Sequence, residues 1–156
     1  MSDETERESC RVIVSLGSNL EPRRDYLARA CEALARLPET RLVQTSSVLE
    51  TEPVDVPAEF AHLKFLNQIA VFESSLSPET FSQEMHAIED TLGRIRTVRN
   101  GPRTIDIDLI DFGGCIRNTP ELVLPHPRAH QRSFVLEPLK ELGIVPHWAE
   151  TPDPLV

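Results

Sequence analysis

Hydrophobic and polar residues follow two different periods along this chain, and each change of period marks a predicted element. Residues 12–16 (VIVSL) form a short apolar run that is typical of a buried strand. Apolar residues then recur every three or four positions from Pro22 to about Leu37, which predicts an amphipathic helix. Two β-like runs, 41–50 and 65–74, follow on either side of a proline-containing loop.

The second half of the chain repeats the helical and strand patterns. Ser77 and Pro78 predict a helix start, because Ser is a good N-cap and Pro suits the first position, and Gly93 suits the end. Residues 104–112 alternate in their first half and predict a strand, and 133–143 predict a shorter helix. The order β, α, β, β, α, β indicates an α+β fold: a ferredoxin-like antiparallel sheet with helices packed on it, as an α/β/α sandwich.

The length and the ends of the chain bound its organisation. A chain of 156 residues suits one domain. The polar, acidic start predicts a mobile tail over residues 1–10, followed by a single domain over 11–156. The chain has no apolar stretch long enough to span a bilayer, and its three scattered cysteines suit a reducing compartment, so we expect a cytoplasmic protein.

Charge narrows the possible partners. The formal net charge is −9, which argues against a general binder of nucleic acid or anionic membranes. Residues 91–132 nevertheless hold seven arginines and only four acids, a local net charge of +3. Arginine suits bidentate recognition of phosphate. Composition alone leaves two interpretations open, a local anion site or ordinary solvated surface charge.

The strongest chemical signal is the pair Asp106 and Asp108 on the predicted strand. Residues two apart on a strand share a face, so both carboxylates lie on one side, while Ile105, Ile107 and Leu109 face the core. Neighbouring carboxylates repel, and a stable pair usually has a cation or proton between them. Mg²⁺ commonly takes one or two carboxylates together with substrate phosphates. An ordinary polar strand face is the alternative.

Six segments, in order from about residue 12 to 143, resemble the 6-hydroxymethyl-7,8-dihydropterin pyrophosphokinases (HPPK) of folate biosynthesis. They are VSLGSNL (14–20), SSVLETEPV (46–54), FLNQIAVFES (65–74), GRIR (93–96), GPRTIDIDLIDFGG (101–114) and LPHPRAHQRSFVLEPL (124–139). The resemblance implies a transferase, a kinase that moves diphosphate as a unit from ATP to the hydroxymethyl group of the pterin. The products would be AMP and the pterin diphosphate.

The resemblance also implies a role for particular residues. Two Mg²⁺ ions would be held by Asp106 and Asp108, and the phosphates would be met by the catalytic arginines Arg94 and Arg103. The positions matching nucleotide-binding residues are Glu89, Arg96, Leu109, His126 and Arg132. Without the resemblance, His126 between two prolines is more simply a turn residue.

For the pterin, the resemblance implies that Phe65 and Phe134 stack on the two faces of the ring and that Asn67 hydrogen-bonds with its polar edge. Backbone groups around Thr51, Pro53 and Val54 would complete the pocket. Taken alone, the two phenylalanines are more often core residues. Asn67 and Phe65 lie on the same strand face, which favours a site.

The expected partners are therefore ATP and 6-hydroxymethyl-7,8-dihydropterin, with no nucleic acid, no membrane and no obligatory protein partner. Asn100, Pro127 and Glu121 depart from residues found in some members, which we expect to change loop closure and affinity rather than the reaction. Two other functions stay open: a metal-dependent nucleotidyltransferase that uses the same aspartates and releases pyrophosphate, and a binding module without turnover.

Overall fold

The computed structural model describes residues 8–52, 57–93, 104–146 and 148. Its main strands are β1 (Cys10–Ser18), β2 (Thr40–Thr45), β3 (Leu49–Thr51), β4 (Phe65–Ser74) and β5 (Asp106–Phe112). Two short strands follow, β6 (Arg117–Asn118) and β7 (Val123–Leu124), and pair with each other. The helices are α1 (Arg23–Ala35), α2 (Pro78–Thr91) and α3 (Ser133–Glu141), with single 3₁₀ turns at Ala58–Phe60 and Ala129–Gln131.

The main sheet has the strand order β2–β4–β1–β5, and β3 also pairs with β4. Every one of these pairings is antiparallel. Strands β1 and β2 are joined by α1 and lie on either side of β4, while β4 and β5 are joined by α2 and lie on either side of β1. These two interleaved β-α-β units confirm the predicted ferredoxin-like α+β fold.

Helices cover both faces of the sheet, as the sandwich prediction requires. On one face, α1 and α2 bury apolar side chains against alternate residues of β1, β4 and β5, with Phe81 in ring contact with Phe72 and Phe112. On the other face, α3 packs Val135 and Leu139 in a second apolar cluster with residues of β1, β4 and β5. The residues left on this second face, beyond the apolar cluster, form the candidate site described below.

The predicted helix boundaries hold with one correction. Ser77 caps α2, accepting a hydrogen bond from the Thr80 N–H at 3.1 Å, and Gly93 follows the helix at φ +81°. The helix predicted from Pro22 to about Leu37 runs from Arg23 to Ala35, with Pro22 at the N-cap position and no side-chain cap. The Arg23 N–H donates instead to the Glu21 carboxylate at 3.0 Å.

The predicted tail over residues 1–10 lies mostly outside the described residues. Strand β1 begins at Cys10, where it pairs with Ser74 of β4. Cys10, Cys31 and Cys115 are all free cysteines. Among the helices in the described ranges, none is long and apolar enough to cross a membrane.

Candidate active site

Polar side chains of β4 and β5 lie on either side of β1 on the α3 face of the sheet. Gly17 of β1 pairs with Asn67 of β4 on one side and with Asp106 of β5 on the other. One step along β1, Ser15 pairs with Asp108 in the same way. Paired residues of antiparallel strands share a face. The register therefore brings the predicted pterin amide and the predicted metal ligands to one surface, although the two segments are far apart in the sequence.

The aspartate pair has the geometry that the alternation predicts. Ile105, Ile107 and Leu109 are buried in the α1/α2 core, at 5% exposure or less. Asp106 and Asp108, between them, are partly exposed on the opposite face. Three residues after Asp108, Asp111 escapes this alternation. The register with β1 shifts between Ile13 and Val14, which leaves Ile110 and Asp111 both on the α3 face.

Because of this register shift, Asp111 has a structural role. Its carboxylate is 5% exposed and accepts hydrogen bonds from the Trp148 indole N–H at 3.3 Å and from the Gly114 N–H at 3.1 Å. These bonds join the strand end to the turn after it and to the C-terminal part of the chain. Local sequence alternation does not reveal this role, because the bulge depends on the pairing of two distant strands.

Arg132 links the aspartates to the predicted stacking residue. Its Nη1 lies 3.7 Å from Oδ2 of Asp108, and its guanidinium carbon lies 5.4 Å from the ring centroid of Phe134. Phe134 is in the first turn of α3 and is partly buried at the edge of the second apolar cluster. A guanidinium in this position can contact anionic and aromatic groups together, as expected between a polyphosphate and a stacked ring.

His126 is held close to the same aspartate. The backbone N–H of His126 donates to the carbonyl of Ile110 on β5 at 2.8 Å. Its ring Nδ1 accepts from the backbone N–H of Arg128 at 3.2 Å. Burial lowers the pKa of His126, while the nearby Asp108 carboxylate partly opposes that shift. The accepting Nδ1 and the lowered pKa agree on a neutral ring. Its contacts fix a turn against β5, and its predicted contact with nucleotide stays a prediction.

The predicted pterin residues lie together on β3 and β4. Asn67 is 5% exposed and donates through Nδ2 to the hydroxyl of Thr51 at 2.6 Å. Thr51 pairs directly with Phe65, so the three side chains occupy neighbouring positions on two strands. Phe65 is only partly buried, which leaves ring surface available for a ligand. The arrangement could place an amide next to one face of an aromatic platform.

Glu89 and Leu109, both predicted to lie near the adenosine, are mainly engaged by the protein. Glu89 is 2% exposed, and its Oε2 accepts the N–H of Ile107, between the two aspartates, at 2.8 Å. Its Oε1 lies 3.0 Å from Nδ1 of His86. The side chain of Leu109 is in the α1/α2 core, so its backbone is the part that could meet a nucleotide. Contact of either residue with ATP stays a prediction.

Sequence patterns did not single out Arg23, which fastens the segments around the pterin residues. Its guanidinium pairs with Glu21 at 2.9 Å and with Glu50 of β3 at 3.0 Å, and donates to the Lys64 carbonyl at 3.0 Å. Glu50 and Lys64 each stand one residue from a predicted pterin residue. The spacing of these residues in sequence gives no signal, since they meet only when the sheet forms.

A surface depression of about 430 Å³ lies apart from the aspartates, between the β2–β3 connection and α3. It is lined by Ser47, Leu49 and four residues of α3, namely Glu137, Pro138, Lys140 and Glu141. Ser47 donates to the Glu141 carboxylate through its hydroxyl at 2.7 Å and through its backbone N–H at 2.9 Å. These two bonds lower the pKa of Glu141 and tie the end of α3 to the edge of the sheet.

Five predicted site residues fall outside the described ranges: Pro53, Val54, Arg94, Arg96 and Arg103. Their roles stay predictions. Within the described residues, His, Cys, Asp and Glu form no cluster of three or more that could hold a metal ion.

Comparison with known proteins identifies the family. The family model of 7,8-dihydro-6-hydroxymethylpterin-pyrophosphokinase (HPPK) matches residues 13–144. A Pseudomonas aeruginosa protein named 2-amino-4-hydroxy-6-hydroxymethyldihydropteridine pyrophosphokinase is 41% identical over 133 residues, covering 85% of this chain and 80% of that protein. A Bacillus subtilis protein of the same name is 38% identical over 129 residues, covering 83% and 75%.

Longer proteins also contain a matching part. Folic acid synthesis protein fol1 of Pneumocystis carinii is 37% identical over 135 residues, which cover 85% of this chain and only 17% of that protein. A solved HPPK-DHPS in complex with substrates superposes with a TM-score of 0.64 at 12% identity, covering 86% of this chain and 40% of the other. This structural likeness supports the fold alone. The family-model match and the bacterial relatives show that the chain belongs to the HPPK family.

Proposed function

We propose that this chain transfers diphosphate from ATP to the hydroxymethyl group of 6-hydroxymethyl-7,8-dihydropterin, giving AMP and the pterin diphosphate in folate synthesis. The observation that carries the proposal is the register of the sheet. Asn67, Gly17 and Asp106 lie in one row, so the amide that we propose to bind the ring shares a surface with the carboxylate pair. Membership of the HPPK family supplies the substrate class.

The aspartates fit magnesium by their chemistry. Two carboxylates two residues apart offer hard oxygen ligands, and the described residues add no third clustered acid or histidine. Such a small ligand set suits Mg²⁺, which keeps several waters and shares substrate phosphates, better than an ion held by an all-protein cage. We propose that Asp106 and Asp108 hold two Mg²⁺ ions, which when bound neutralise phosphate charge and align the reacting groups.

The residues of the chain then act by binding and orientation. Phe65 and Phe134 stack on the pterin, and Asn67, held by Thr51, hydrogen-bonds with its polar edge. Arg132 lies between Asp108 and Phe134, where it can meet a phosphate oxygen beside the bound ring. Correct alignment of the hydroxyl with the β-phosphorus supplies much of the rate, because phosphoryl transfer needs little covalent help from protein.

The remaining predicted residues complete the proposal. Arg94 and Arg103 contact the transferred phosphates, and Arg96, His126 and Glu89 contact the nucleotide. Pro53 and Val54 border the pterin. We also propose that the protein works in the cytoplasm, which is compatible with its free cysteines. We further propose that it needs no protein partner.

The decisive experiment supplies purified protein with ATP, Mg²⁺ and the reduced hydroxymethylpterin and separates the nucleotide products. AMP formed in equal amount with pterin diphosphate supports the proposal. Free pyrophosphate with a nucleotidyl adduct indicates the nucleotidyltransferase instead, and pterin binding without AMP indicates a binding module. Replacing Mg²⁺ with a chelator should abolish AMP formation.

A further inference from the structure

Gly17 occupies the central position of the candidate site and has no assigned role. It lies on β1, between the strand that carries Asn67 and the strand that carries Asp106. It is buried, like the rest of β1 from Val12 onward. A glycine inside a central strand weakens the strand, because it adds backbone entropy to the unfolded chain and packs no side chain. Its presence here therefore calls for a physical reason.

Backbone conformation does not supply that reason. Among the glycines in the described ranges, those at positive φ are Gly93, Gly113, Gly114 and Gly143, all of them after a helix or in a turn. Gly17 is not among them, and it keeps regular pairing on both sides. An L-residue could adopt the backbone of Gly17 without strain. The explanation must lie in the space above its Cα atom.

That space is used by two predicted pterin residues. A Cβ atom at position 17 would lie 3.3 Å from Oδ1 of Asn67 and 3.7 Å from Cδ1 of Phe65. The first distance is tighter than an ordinary van der Waals contact, so the amide would have to move. Asn67 cannot move freely, because its Nδ2 is bonded to Thr51 on the far side.

The other flank of Gly17 faces the aspartates. Neighbouring strands are separated by about 4.8 Å, so the backbones of Asn67 and Asp106 lie about 10 Å apart with only Gly17 between them. A substrate whose ring is held at Asn67 and whose alcohol reacts near Asp106 must cross this interval. A methyl group at position 17 would project into it.

We propose that Gly17 is a positioning and specificity-determining residue. Because it has no side chain, its backbone forms the floor on which the pterin lies, and the one-carbon alcohol arm of the pterin crosses this floor to reach the polyphosphate. The inference rests on the proposed function, since it takes the pterin as the occupant. It accounts for a glycine where strand stability alone favours a larger residue.

The test is Gly17→Ala in the full chain. Binding of 6-hydroxymethylpterin is measured by calorimetry without nucleotide, and kcat and KM are then measured for each substrate. We expect pterin affinity to fall about tenfold and kcat to fall as well, with ATP affinity within about twofold of wild type. The melting temperature should change little, because the gain of alanine over glycine in a strand is offset by the cost of displacing the Asn67 amide.

The outcomes separate the two claims. Wild-type protein that binds the pterin but makes no AMP refutes the proposed reaction, while Gly17 is still judged by the affinity of the variant. Unchanged pterin affinity and turnover in Gly17→Ala overturn the floor role. So does a fall in melting temperature with equal losses for pterin and ATP, because that pattern indicates a merely structural residue. Wild-type protein that neither binds the pterin nor forms AMP overturns both claims.

Discussion

Glu89 offers a sharp test of how the protein positions its aspartates. Strand β5 ends the order β2–β4–β1–β5, and the carboxylate of Glu89 accepts the backbone N–H of Ile107 at 2.8 Å in a buried setting. Ile107 stands between the two predicted metal ligands. Glu89→Ala removes the acceptor, whereas Glu89→Gln keeps an oxygen that can accept the same N–H and an amide that can donate to His86.

The expected size of the effect follows from burial. A buried N–H without its acceptor costs about 1–3 kcal/mol, and bonds to charged groups lie at the upper end. Glu89 is 2% exposed, so water does not replace it easily. We therefore expect Glu89→Ala to lower the free energy of unfolding by about 2–3 kcal/mol, or the melting temperature by about 4–12 °C for a domain of this size. The glutamine variant should lose less than about 1 kcal/mol.

Urea denaturation measures the stability of both variants, and NMR hydrogen exchange measures protection of the Ile107 amide. Protection should fall in Glu89→Ala and be largely kept in Glu89→Gln. Turnover should follow the same order, since a looser β5 orients its carboxylates less well. Equal stability of the two variants, together with an Ile107 amide as protected as in wild type, would refute the positioning role.

Three further changes test other parts of the site. Asp108→Ala should reduce AMP formation by about 10²-fold or more while the melting temperature changes little. The carboxylate is partly exposed, so losing its 3.7 Å ion pair with Arg132 costs little, and removing it also relieves repulsion from Asp106; near-normal activity or a large thermal loss contradicts this. Phe134→Ala should weaken pterin binding about tenfold in calorimetry, because one stacking face is lost; unchanged affinity counts against the sandwich. Ser47→Ala should raise the pKa of Glu141 toward its usual value in an NMR titration. The lowered pKa of Glu141 stabilises the wild-type fold at pH values above the unfolded-state pKa of a glutamate, and this contribution disappears as pH falls through the folded-state pKa. The stability of the variant should therefore depend less on pH in the acid range. An unmoved Glu141 titration refutes the link.

The local patterns of the sequence were enough for the helices and for most strands and their faces, although the run predicted over 41–50 is divided into β2 and β3. The three- and four-residue period predicted α1 and α2, and Ser77 marked the start of α2, because capping and amphipathicity are set by residues within one or two turns. The alternation of Asp106, Ile107 and Asp108 predicted which side chains face the core, since successive residues of a strand point to opposite sides. The resemblance of ordered motifs then supplied the family.

Only the tertiary structure decided which side chains meet. Register across strands placed Gly17 between Asn67 and Asp106, a helix docked Glu89 onto the backbone of Ile107, and a bulge carried Asp111 to Trp148. None of these contacts has a local signature, because partners from distant segments are selected by the pairing and packing of the whole sheet. The sequence alone determined which residues could do the chemistry, and the sheet determined where they stand relative to one another.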